Sequence, residues 1–220
     1  AEKTILSVAG RVSDKEKASS VLLEALPNTA VPTRLSLLKM LGRIGHDRGL
    51  AAIREAVKDP DQQVAEAAFR ALTEWTDMRA ANDLLEIAGS SDQLVRQVLA
   101  IRSYVRLLSL PNTRPVKKSI KLYKKGLSAS RRPEEKKLVI AKLADLKSFE
   151  SLELLRSMLE DDTLKQEATL ALINIARGLS VSKPQKTRTF LGEMVKDSQD
   201  EHFNKQVNAV LDEIALVEAH

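Results

Sequence analysis

Leu38-x-x-Leu41-Gly42-x-Ile44-Gly45, then a helical stretch, then Asp59-Pro60-Asp61-x-x-Val64-x-x-Ala67-Ala68-x-x-Ala71-Leu72, is the segment whose reading decides the fold. Apolar residues three and four apart mark one buried face of a helix. Gly45 reads as the stop of the first helix and Asp47 as the cap of the second, which holds Leu50, Ile53 and Val57. Asp59-Pro60 ends that second helix, because proline lacks an amide hydrogen and pushes the preceding residue out of the helical region. Asp61 then opens a third helix, whose alanines allow close packing against a neighbour. A chain that repeats this unit is a stack of helical hairpins, and such stacks commonly serve recognition.

Working outward, the same punctuation recurs. Thr4–Val12 reads as half of a truncated first hairpin. Asp14 caps a helix carrying Val21, Leu22, Leu23 and Leu26 that stops at Pro27, and Thr33–Ile44 follows with Leu35, Leu37, Leu38 and Leu41 on its buried side. Residues 79–88 bring Ala81, Leu84, Leu85 and Ala88, and Asp92 opens a long helix with Val95, Val98, Leu99, Val105 and Leu108. Asp61-Gln62-x-Val64 against Asp92-Gln93-x-Val95 gives a period of 31 residues. Later pairs are read at 114–128 with 133–146, 149–160 with 163–178, and 184–196 with 201–217. Loops lengthen in the middle of the chain, which helical repeats tolerate.

Composition agrees. The 220 residues are 43% hydrophobic and 30% charged, with only 3% aromatics, 8 Gly and 7 Pro. Leu, Ala, Val and Ile carry the apolar load, which argues against sandwiches and barrels. The expected fold is all-α: one domain over 1–220, a right-handed α-solenoid of about six hairpins, its first repeat incomplete. Cysteine is absent, which removes disulfides, thiolate metal sites and cysteine nucleophiles. No apolar run reaches the length of a membrane span. Ala1-Glu2-Lys3-Thr4 has neither an initiator Met nor a signal-peptide layout, so the chain reads as processed or excised, its compartment open.

The quoted motifs resemble HEAT repeats of the bacterial, lyase-like variety, well over 38–72, fairly over 79–110, and beyond that by periodicity; armadillo-type hairpins are the nearest alternative. The resemblance implies a curved superhelix with second helices lining the concave side. It implies a scaffold role as well, with no shared catalytic residues to carry over.

Candidate chemistry is sparse. His46, His202 and His220 are far apart and form no metal-ligand spacing. Glu134-Glu135, Asp161-Asp162 and Asp200-Glu201 each begin a predicted helix, where carboxylates cap free amides and meet the positive end of the dipole. No phosphate loop, dinucleotide fingerprint or nucleophile elbow occurs, and Gly42-x-x-Gly45 reads as packing and stop. Trp75 and Tyr104 read as core, with an inter-repeat groove as the alternative for Trp75. The expectation is a protein that is not an enzyme, with no catalytic, cofactor or metal residues and no cofactor.

Charge is unevenly placed. Residues 1–110 hold 15 Lys/Arg and 14 Asp/Glu, residues 111–147 hold 12 and 3, and residues 148–220 hold 8 and 13. In the basic segment, Val116, Ile120, Tyr123 and Leu127 form an apolar stripe, and Lys117, Lys118, Lys121, Lys124 and Lys125 lie on the other side. Like charges at i, i+4 cost a few tenths of a kcal/mol per pair, so this is either a solvated face or a dock for an anionic partner. A second set, Lys39, Arg43, Arg70, Arg96, Arg106, Lys142, Lys165 and Arg177, is expected as a ladder of cations along the second helices. Gln63, Glu66, Asn174, Lys205 and Asn208 among them give a mixed face that suits a protein or peptide partner. The expected function is a non-catalytic scaffold binding such a partner on its concave face, as a monomer or a part of a larger polypeptide. A nucleic-acid-binding protein similar to alkylpurine DNA glycosylases is the alternative, disfavoured by the scarcity of aromatics, and a bilin-lyase-like protein ranks last.

Overall fold

A computed structural model describes residues 14–218. Thr4–Val12 and His220, both read from the sequence, lie outside them. The described residues form twelve α-helices, two short 3-10 turns and no strand. The chain divides into two compact units, 1–110 and 111–220.

The first unit holds α1 (Lys15–Ala25), α2 (Val31–Ile44), α3 (Asp47–Ala56), α4 (Gln62–Thr73), α5 (Ala81–Ser90) and α6 (Leu94–Leu108). They pair as three hairpins. First helices α1 and α3 pack together, and second helices α2, α4 and α6 stack in sequence, so two layers enclose one core. Leu38, Leu41, Ile53, Val64, Phe69, Leu72, Leu84 and Ile101 are essentially inaccessible there, each worth about 1.5–3 kcal/mol of burial.

The breaks follow local chemistry. Asp14 accepts the amides of Glu16 and Lys17, and Asp61 those of Gln63 and Val64, as read from the sequence. Gly45 ends α2 in the left-handed region at φ 67°, which glycine adopts without steric cost. Two caps differ from expectation. His46, not Asp47, sits at the N-cap of α3, its Nδ1 accepting the Arg48 amide at 3.4 Å. Asp47 instead meets Arg79 of the next hairpin. The long helix α6 begins at Leu94, two residues after Asp92, and the Ser91 hydroxyl accepts the Gln93 amide.

The second unit repeats the plan with α7 (Val116–Ala129), α8 (Pro133–Leu143), α9 (Phe149–Arg156), α10 (Lys165–Ser182), α11 (Pro184–Asp197) and α12 (Glu201–Glu218). Second helices α8, α10 and α12 stack through α10, and α7 packs on both α8 and α9. The Phe149 and Phe190 rings join α9 to α11 edge to face. Each unit is therefore an α-solenoid segment of three hairpins.

Candidate interaction surface

Helix α7 buries Ser119, Ile120, Tyr123 and Gly126. Small Ser119 and Gly126 thus join the expected Ile120 and Tyr123 on the buried side, while Leu127 is half-buried and Val116, the first residue of the helix, is 37% exposed. At 100° per residue, Lys117, Lys118, Lys121, Lys124 and Lys125 occupy an arc of about 120° opposite the buried one, over about 12 Å of axis. All five are exposed. Among the described residues none of them makes an ion pair, whereas Arg132, Lys142, Arg156, Lys165 and Arg177 of the same unit all do.

Six of the eight second-helix cations are engaged within the fold. Arg70 pairs with Glu66 one turn earlier at 2.8 Å, and Arg96 reaches the same carboxylate from α6 while covering the Phe69 ring at 5.2 Å. Arg106 donates to the carbonyl oxygens of Thr73 and Trp75, closing the C-terminal end of α4. Lys142 lies 3.7 Å from Asp145, Lys165 lies 2.6 Å from Asp200, and Arg177 pairs with Glu213 across α10 and α12. Lys39 and Arg43 remain exposed on α2. Four of the eight, Arg96, Arg106, Lys165 and Arg177, are therefore ties to other segments of the fold, which one-dimensional spacing does not reveal.

The shifted acids are structural in character. The Asp61 amide, with the Arg34 guanidinium beside it, holds Asp59 below the usual carboxylate range. Its own backbone N–H, then Arg132, lowers Glu134. The Thr163 hydroxyl and amide lower Asp161. Lys165, then the Phe203 amide, lowers Asp200, and Asp200 in turn raises Lys165. Of the remaining candidates, Trp75 is wholly buried, its indole N–H donating to Asp77 at 3.2 Å, so it belongs to the core and lines no groove. Tyr104 is likewise buried. His202 is exposed against Gln206. No group of three or more His, Cys, Asp or Glu among the described residues is placed to hold a metal ion.

Comparison with known proteins gives three results. No curated protein matches this chain. Among solved structures, human deoxyhypusine hydroxylase in complex with glycerol is similar at TM-score 0.40 and 16% identity, over 96% of this chain and 79% of that one. The family model for HEAT repeats matches residues 8–102, the segment that contains the quoted motifs and five of the helices from α1 to α6 in full. That match, with the stacked hairpins it covers, identifies residues 8–102 of this chain as HEAT repeats.

Proposed function

We propose that this chain is a non-catalytic interaction module that docks an acidic segment of a protein partner on the lysine face of α7. One observation carries the reading: five exposed lysines share an arc and make no ion pair among the described residues, while Lys142, Lys165 and Arg177 of the second helices are paired. Uncompensated like charge destabilises a helix, so a partner that supplies carboxylates gains that energy on binding. A short acidic segment fits better than a long polyanion. The charged arc covers only about 12 Å, and residues 148–220 carry 13 Asp/Glu against 8 Lys/Arg, which repels a phosphate backbone that runs on. The directions of the acid shifts support a structural role for the carboxylates. Asp59, Glu134, Asp161 and Asp200 are all lowered, whereas a general acid working near neutrality needs its pKa raised.

The test is anisotropy of a labelled Glu-rich dodecapeptide and of a labelled DNA duplex at low salt, with the full chain and with Lys117→Glu/Lys121→Glu/Lys125→Glu. Peptide binding that falls at least tenfold in the variant and weakens with salt is expected. Absence of peptide binding at low salt overturns the proposal, and so does duplex binding that is tighter than the peptide and lost in the same variant.

A further inference from the structure

The first-helix side of the second unit carries a groove of about 780 Å³ between the N-terminal ends of α7, α9 and α11. Its floor is apolar. Phe149 and Phe190 meet there at 6.3 Å between centroids and 69° between planes, and Val116, at the first position of α7, lines the groove with them. At one end Lys186 stands 4.2 Å over the Phe149 ring and Lys183 stands 5.8 Å from it. Further along the two helices are Glu153 of α9 and Glu193 of α11, while Glu150 stands in the first turn of α9 beside Phe149. Lys186 and Glu193 are seven residues apart, hence on one face of α11 and about 10 Å apart along its axis.

None of these five charged side chains makes an ion pair among the described residues. The groove is polarised along α11: Lys183 and Lys186 lie at its N-terminal end, whose dipole has the same sign, Phe190 follows against Phe149, and Glu193 lies beyond. Its volume lies in the range that holds a few side chains.

We propose that this groove binds a short peptide segment of one charge order. Carboxylates seat on Lys183 and Lys186, a large apolar side chain lies on Phe149, Phe190 and Val116, and a cation about 10 Å further on meets Glu193, with Glu153 across the groove. This site is separate from the lysine arc of α7. A uniformly acidic segment, which suits that arc, is rejected here because Glu153 and Glu193 repel its far end. A nucleic acid strand is rejected for the same reason. The lysines already poised over a ring need little reordering, which favours a defined register over a diffuse electrostatic contact.

The probe is fluorescein-labelled Asp-Asp-Trp-Gly-Lys-Lys, whose acid-to-base span in extended form matches the groove, read by anisotropy with the full chain at low salt. Binding at least tenfold tighter than that of Asp-Asp-Trp-Gly-Asp-Asp and of Asp-Asp-Ser-Gly-Lys-Lys is expected. Lys183→Glu/Lys186→Glu, both surface changes, should weaken it at least tenfold, and Lys117→Glu/Lys121→Glu/Lys125→Glu should leave it within twofold. Equal binding of the three peptides overturns the proposal, as does full affinity in Lys183→Glu/Lys186→Glu. Loss in the α7 variant alone also overturns it, since the peptide would then be held by the lysine arc. Failure of the Glu-rich probe to bind α7 leaves this result untouched.

Discussion

Gly42→Ala adds one methyl group where α2 crosses α4, and what it meets is backbone. A Cβ at position 42 would stand 3.0 Å from the Cβ and the carbonyl oxygen of Ala71 and 3.2 Å from its Cα. Ala71 is buried in mid-helix, so it cannot swing aside as a long side chain does; the two helices must separate. Alanine gains about 1 kcal/mol over glycine in a helix interior, while overpacking a close-packed contact costs about 1–3 kcal/mol. The net expectation is a loss of about 1 kcal/mol, rising to about 3 kcal/mol for Gly42→Val, whose branched side chain adds volume and forfeits part of the helix gain. Gly192→Ala in α11 is the control: nothing lies within 4 Å of its Cβ, so only the propensity gain applies and the second unit is stabilised by about 0.5–1 kcal/mol. Urea unfolding followed by far-ultraviolet circular dichroism reads both. Fluorescence of the sole tryptophan, buried Trp75, isolates the first unit. Combining Gly42→Ala with Ala71→Gly should give a coupling of at least about 0.5 kcal/mol. If Gly42→Ala stabilises its unit as Gly192→Ala does, the close crossing is wrong, and with it the reason for glycine in Leu41-Gly42.

Three further outcomes are expected. Asp61→Ala removes the acceptor of the Gln63 and Val64 amides at the start of α4 and should cost about 1 kcal/mol in the same urea titration, with Asp61→Asn nearly neutral. Lys121→Glu turns two like-charge pairs on α7, to Lys117 and Lys125, into attractive ones and should stabilise the second unit by about 0.5–1 kcal/mol even as it weakens binding of the Glu-rich peptide; a destabilised variant would mean that Lys121 packs rather than projects. On the acid side, Asp59, Glu134, Asp161 and Asp200 have folded values below their unfolded ones. Their stabilisation is therefore complete above the ordinary carboxylate range of about 4 and is lost as pH falls below it. Lys165, shifted up by Asp200, behaves oppositely, its share persisting until pH rises past the ordinary lysine value of about 10.4. Urea midpoints between pH 7 and 2.5 should drop most steeply below about pH 4, and Asp200→Asn should flatten part of that drop.

The helices were legible because their signals are local. Apolar spacing of three and four, Asp14 and Asp61 as caps and Gly45 as a stop act within one or two turns, so reading along the chain finds them. Even the misread caps err by a residue or two, since His46 and Asp47 are both polar neighbours of the same amides. The lysine arc of α7 was legible for the same reason, because periodicity alone sets five like charges on one side.

What only the packing decided is where each charge is spent. The Arg70–Glu66 pair is an i, i+4 contact visible in one dimension, yet the sharing of Glu66 with Arg96, 30 residues on, is not. Nor is the use of Arg106 to close the end of α4, or the burial of Trp75. Val116 keeps the side of α7 that its spacing assigned it, yet at the first position of the helix it is 37% exposed and lines the groove over Phe149, which periodicity alone does not show. Sequence periodicity specifies that a helix has a buried side; the volumes it meets across the core decide which residues at the margin of that side stay in and which face outward.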